Sequence, residues 1–158
     1  MQKTTCCFTG HRQLPEDQIE SIIKRLNDAL EQLIRQGVTD FLCGGTRGFD
    51  QIAASLVIAK KEMGQNIRLT FALPCRDQDA LWLAGEKELY RRLLAEADHI
   101  HYVSKQYDTD CMKLRNRYMV DHSGYCVCAL IHKASGTFQT VGYARQKGVR
   151  VINVATSA

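Results

Sequence analysis

The strongest constraint on how this chain folds is an alternation: short β-compatible apolar runs, each followed by a segment whose apolar residues recur at helical spacing. The runs are Thr4–Thr9, Thr39–Cys43, Ile67–Leu73, Asp98–Val103, Tyr125–Ile131 and Arg150–Val154. After the first, Ile19, Ile22, Ile23, Leu26, Ala29, Leu30 and Leu33 form one helical stripe. Pro15, Glu16 and Asp17 open it and Arg35 closes it before Gly37, an order that suits the helix dipole. Phe49, Ile52, Ala53, Leu56 and Val57 give a second stripe that ends near Gly64. Further helices are expected over 79–97, 110–121 and Thr137–Lys147, the middle one carrying only the short stripe Leu114, Tyr118 and Met119. Strands alternating with helices in this way predict right-handed crossovers and an α/β, doubly wound, mostly parallel sheet of about six strands, Rossmann-like, with helices on both faces. The near-continuous apolar run Tyr125–Ile131 predicts a central strand buried on both sides.

A chain of 158 residues suits one domain over 1–158, and no linker-like or repetitive tract divides it. Its 45% hydrophobic and 24% charged residues exclude a disordered or coiled-coil chain. The net charge of +4 is too mild to demonstrate nucleic-acid binding but suits an anionic ligand. The longest wholly apolar stretch, Tyr125–Ile131, is too short to span a bilayer, and the N-terminal apolar run reaches Gly10-His11-Arg12 too early for a signal peptide. A cytoplasmic location away from membranes is therefore expected. An odd set of seven cysteines without a Cys-x-x-Cys pair reads as buried, reduced thiols. His99 and His101 share a strand face without a third ligand, so no metal site is expected.

Ligands of open α/β sheets bind beyond the carboxyl ends of the strands. Three of those ends carry a glycine-containing turn that feeds a helix N-terminus: Thr9-Gly10-His11-Arg12, Gly44-Gly45-Thr46-Arg47-Gly48-Phe49-Asp50 and Ser135-Gly136-Thr137. Helix N-termini expose unpaired N–H groups and partial positive charge, so such turns suit a phosphate. They also serve as ordinary turns, but three on one rim favour a site. No Gly-x-Gly-x-x-Gly follows the first strand and no Gly-x-x-x-x-Gly-Lys-Ser/Thr occurs, which disfavours an NAD dehydrogenase or a P-loop NTPase.

Gly44–Ala53 resembles the Gly-x-x-Arg-Gly-hydrophobic-Asp-x-x-Ala block of DNA-processing protein A, and Ser135-Gly136-Thr137-x-x-Thr140 resembles that family's Ser-Gly-Ser-x-x-Thr. Together with Thr9-Gly10-His11-Arg12, Pro74-Cys75, Gln78 and Trp82, the set is similar to the YpsA-like branch of the SLOG superfamily over nearly the whole chain. The LOG-type nucleotide 5′-monophosphate phosphoribohydrolases share that fold. Their Gly-Gly-x-Gly-Thr-x-x-Glu is not matched here, because Thr140 stands where the catalytic glutamate would be and a hydroxyl does not replace a carboxylate. Ala54 likewise stands where the DNA-processing pattern usually has histidine.

The resemblance implies a site for a nucleotide or nucleotide-derived small molecule, sensed or bound rather than hydrolysed, with no cofactor identified. Phosphate is then expected at Gly45, Gly48 and the Ser135-Gly136-Thr137 turn, within a rim that includes Gly10, Arg12, Gly44 and Arg47. Either Arg115 or Arg117 corresponds to the substrate-binding arginine of the LOG-type enzymes. Asp50 either accepts a ribose hydroxyl, serves as a spare acid, or simply favours its helix dipole. Trp82 stacks a base or packs beneath the loop that carries Gln78, and His11 bonds the ligand or its own loop. A Ser-His-Asp triad can be drawn from Ser135, His11 and Asp50, but nothing sets Ser135 on a nucleophile elbow. An N-glycosidase using Asp50 is the second reading. Single-stranded nucleic-acid binding is the third and less favoured, since long basic or aromatic tracts are missing. A homodimer is compatible with such folds, although no apolar stripe marks its interface.

Overall fold

Residues 3–156 are described in the computed structural model. Each β-compatible run pairs with a neighbour, giving one sheet from β1 (Thr5–Gly10), β2 (Asp40–Cys43), β3 (Arg68–Leu73), β4 (His99–Tyr102), β5 (Tyr125–Ala129) and β6 (Arg150–Asn153). The intervening helices are α1 (Glu16–Arg35), α2 (Phe49–Glu62), α3 (Ala84–Ala95), α4 (Cys111–Asp121) and α5 (Gly136–Gln146). Every pairing is parallel and the strand order is β4-β3-β2-β1-β5-β6. The chain thus builds outward from β1 to β4 and returns to the other side of β1 for β5. That reversal leaves a crevice beyond the carboxyl ends of β1 and β5.

The Rossmann-like α/β arrangement follows from where the apolar stripes go. Ile22, Leu26 and Leu30 of α1, Phe49, Ala53 and Val57 of α2, and Tyr90 and Leu93 of α3 cover one face of the sheet. Met119 and Val120 of α4 and Ala144 of α5 cover Cys7, Leu42, Ala72 and Cys126 on the other. Phe8 stacks on Phe41 with ring centroids 5.9 Å apart and meets the edge of Phe49 at 6.5 Å. Each such fully buried side chain contributes about 1.5–3 kcal/mol of apolar transfer. A Cβ on Gly10 would collide with Phe49, so this glycine lets α2 approach β1 closely. The cysteines are all buried and free.

Helix α3 and strand β5 depart most from the sequence expectation, the other elements by about a residue at an end. Helix α3 begins at Ala84 rather than near Asp79, because residues 77–82 form tight turns (Ala80 N–H to Asp77 O, Trp82 N–H to Asp79 O). The Glu86 carboxylate then caps the Leu83 N–H at 2.9 Å and fixes the helix start there. Strand β5 stops at Ala129 rather than Ile131. Leu130 N–H donates to Asn153 Oδ1 and Ile131 N–H to His11 Nε2, so side chains replace the ladder and turn the chain toward the crevice. On the outer strand, His101 stacks on Tyr118 at 4.5 Å, a packing role consistent with its exposed position. Among the described residues no helix is long and apolar enough to cross a membrane.

Candidate functional site

Three adjoining cavities line the carboxyl edge of the sheet. The central one, about 390 Å³, lies at the β1/β5 crevice. The end of β1 supplies Thr9, Gly10, His11 and Arg12, the β2–α2 connection Thr46 and Asp50, α4 Arg115 and Asn116, and the head of α5 Ser135, Gly136 and Thr137. A second cavity of about 400 Å³ contains Arg47, Gln78, Leu81, Trp82 and Tyr107. A third, about 340 Å³ between α4 and α5, contains Lys113, Arg117, Gln139, Thr140 and Tyr143. The first two share Arg12, Thr46 and Met112, and the central and third share Met112, Asn116 and Gly136, so the three form one cleft.

Asp50 sits at the floor of the central cavity with 3% of its surface exposed. Burial pushes its carboxyl from 3.8 up to about 7, against the opposing pull of Arg115, the Thr46 N–H and Arg12. Its Oδ1 has no hydrogen-bond partner in the protein. Arg115 is buried beside it, with Nη1 donating to Gly44 O at 2.6 Å and Nε to Asn116 Oδ1 at 2.8 Å. Arg115 therefore faces the central cavity, whereas Arg117 lies in the third, its guanidinium 5.0 Å from the Tyr143 ring. The sequence left open which of the two reaches the central site, and burial separates them.

His11 does not assemble a triad. Its Nε2 accepts the N–H groups of Ile131 at 2.9 Å and His132 at 3.1 Å, so the neutral ring ties the β1 loop to the β5 loop. Burial and the neighbouring His132 lower its pKa below 6.5, in keeping with that acceptor role. The Ser135 hydroxyl donates to His132 O at 2.8 Å and accepts the Phe138 N–H at 3.1 Å as the N-cap of α5. Thr140 donates its hydroxyl back to Gly136 O at 2.9 Å. At the head of α5 the first N–H groups, those of Gly136 and Thr137, remain without a protein acceptor among the described residues. Nothing lies within 4 Å of a Cβ built on Gly136. This turn presents an open, positively polarised helix end to the cavity.

The glycines of the second turn have a different basis. Gly45 adopts φ +72°, and a Cβ there would face Leu73, Tyr90 and Phe71; Gly48 adopts φ +85°, with the Arg12 and His11 carbonyls against its Cβ position. A Cβ on Gly44 would lie 2.7 Å from Arg115 Cζ. None of the three lines the cleft walls, where Thr46 and Arg47 appear instead. Their missing side chains accommodate protein, a distinction the motif alone does not make.

The second cavity is built around Trp82. Its ring meets Tyr90 edge-on at 5.0 Å, and the Arg47 guanidinium lies 5.1 Å from its centroid. Arg47 also pairs with Glu86 at 3.3 Å, which links the β2 loop to the cap of α3. Gln78 donates to Tyr90 Oη at 3.0 Å and leaves its Oε1 unpartnered. Trp82 thus packs beneath the loop and still borders the cavity. Met112 and Asn116 complete the cleft without having been singled out by sequence, together with Thr9 and Thr46 of the first two turns. Thr46 lies inside the glycine-rich block and Asn116 beside the arginine candidates, the only signals either carried. Among the described residues no cluster of three or more His, Cys, Asp or Glu side chains suits a metal ion.

The SPbeta prophage-derived protein YoqJ of Bacillus subtilis is 31% identical over 139 residues, covering 77% of this chain and 81% of the relative. A UPF0398 protein of Halalkalibacterium halodurans is 30% identical over 107 residues, covering 66% of this chain and 57% of the relative. The fold is also that of DNA processing protein A: the Streptococcus pneumoniae structure matches with a TM-score of 0.68 at 16% identity, over 93% of this chain and 48% of that one. The Helicobacter pylori protein, described for its single-stranded DNA binding mode, gives 0.66 at 14% identity, over 95% and 64%. The YpsA family model, that of the YspA SLOG family, matches residues 6–148, and with YoqJ alongside it this chain belongs to that family.

Proposed function

We propose that the cleft binds a nucleotide or nucleotide-derived molecule. The observation that carries this reading is the buried, unpartnered Oδ1 of Asp50 in the same cavity as the open head of α5. A phosphate takes the Gly136 and Thr137 N–H groups with Arg12 as its counter-charge, and a ribose hydroxyl donates to Asp50. The base enters the neighbouring cavity beside Trp82 and Arg47. The single-stranded DNA binding described for the Helicobacter pylori protein supports a nucleotide-type ligand on this fold.

The test is thermal unfolding of the full chain against nucleoside monophosphates, NAD, ADP-ribose and cyclic nucleotides. A selective rise in Tm that disappears in Gly136→Val supports the reading, since that side chain has room in the fold and blocks the head of α5. No rise with any compound at concentrations well above millimolar overturns it.

A second reading, N-glycosidic hydrolysis, is favoured by the same carboxyl, because a group that titrates at about 7 suits proton transfer at neutral pH. Release of free base from a nucleoside monophosphate, lost in Asp50→Asn, would establish it; unchanged nucleotide after prolonged incubation would remove it.

A further inference from the structure

The third cavity has a charge pattern that a single-phosphate ligand leaves unused. Lys113 and Arg117 lie four residues apart on α4, so their cationic side chains share one helix face and repel each other. Among the described residues neither has a carboxylate partner. Asp110 is the only acidic residue on the wall. The Arg117 guanidinium is held over the Tyr143 ring, whose hydroxyl donates to Asp121 Oδ1 at 2.7 Å, so the cation has a fixed support rather than a free arm. Gln139 and Thr109 add neutral polar groups. The cavity opens onto the central one through Asn116, Met112 and Gly136, which puts it next to the head of α5.

We propose that this cavity is a second anion site, so that the cleft selects nucleotides carrying two phosphoryl groups separated by a nucleoside unit. One phosphoryl group occupies the head of α5, and the other lies between Lys113 and Arg117, relieving their mutual repulsion. The proposal rests on the reading of the central cavity given above. The shared chemistry is met by a free nucleoside bisphosphate and by a short phosphodiester strand alike.

The experiment is calorimetric titration of the full chain with adenosine 5′-monophosphate, adenosine 3′,5′-bisphosphate and the 5′-phosphorylated dinucleotide pApA. It is run on the wild-type chain and on Lys113→Gln/Arg117→Gln, both exposed positions whose substitution leaves the core intact. The bisphosphate is expected to bind about tenfold or more tightly than the monophosphate. In the double variant that advantage disappears while monophosphate affinity falls by a much smaller factor, since both side chains are exposed and act on the first site only through solvent. A gain for the bisphosphate alone assigns the site to a terminal phosphate, and a gain for pApA as well assigns it to a nucleic-acid backbone. Equal binding of monophosphate, bisphosphate and pApA by the wild-type chain, or an advantage that survives in the double variant, overturns the second site and leaves the central one standing. Absence of binding by all three overturns the second site, while the central reading is decided by the wider panel of nucleotides given above.

Discussion

Arg115 occupies the space that a side chain at position 44 would fill: its Cζ lies 2.7 Å from the Cβ position of Gly44, and its Nη1 donates to the Gly44 carbonyl at 2.6 Å. The glycine therefore makes room for a buried cation at the end of β2, and that cation faces the Asp50 carboxylate. Gly44→Ala should push the guanidinium off its carbonyl and destabilise the chain by about 3 kcal/mol, from overpacking and a disturbed buried charge. Adding Arg115→Met should recover part of that loss. Urea unfolding of the two single variants and the double variant would show this as a less-than-additive sum.

Asp50 makes stability depend on pH in an unusual direction for a carboxylate. Its folded value, about 7, lies above the ordinary 3.8, so between those limits the folded chain holds the extra proton. Stability should fall as pH rises from about 4 toward 7 and level off above it. Asp50→Asn should remove this slope, which unfolding free energies at several pH values for both proteins would reveal. Nucleotide affinity should follow the same carboxyl: a neutral Asp50 repels phosphate less, so the wild-type chain should bind more weakly relative to Asp50→Asn as pH passes about 7.

His11 gives the opposite slope. Its folded pKa is lowered below 6.5, so the unfolded chain takes up a proton first as pH drops. Its stability contribution is present above 6.5 and is lost as pH falls through the folded value. His11→Ala should cost about 1–2 kcal/mol by leaving the Ile131 and His132 N–H groups without their acceptor. His11→Gln, with a carbonyl oxygen in reach, should recover part of it, and hydrogen exchange at those two amides would report the loss directly.

The alternation of stripes made the architecture legible, because a helical or strand period is a local property of the chain. Tyr125–Ile131 marked an inner strand for the same reason, although its last two residues leave the ladder for Asn153 and His11, partners distant in sequence. The rim was legible through its turns, since a strand that ends in Gly or Ser before a helix points to the carboxyl edge. What each glycine makes room for was not. Gly44, Gly45 and Gly48 accommodate protein atoms and Gly136 faces open space, a difference set by tertiary packing. Asp50 reads from the sequence as a ribose acceptor, a spare acid or an ordinary carboxylate at a helix start, and its burial beside Arg115 is set only by the folded chain. The start of α3 was displaced by the Glu86 cap, a contact that competes with a weak apolar period over Asp79–Leu83.

Gly48→Ala separates folding from binding at the second turn. With φ at +85° and backbone carbonyls against its Cβ position, this substitution should cost more than about 2 kcal/mol and lower Tm sharply. Arg47→Ala, by contrast, should leave Tm nearly unchanged, because its ion pair with Glu86 is partly exposed. Thermal melts of the two variants, each with and without adenosine 5′-monophosphate, would distinguish a structural turn from a ligand-contacting one.

A nucleotide seated at the head of α5 above Asp50 would perturb the amides around it, and chemical-shift mapping during titration with adenosine 5′-monophosphate and ADP-ribose reads them one by one. Saturable shifts are expected at Gly136 and Thr137, extending to Thr46 and Asn116. Absence of shifts at millimolar ligand, or shifts confined to the sheet face around His99 and His101, would contradict that seat.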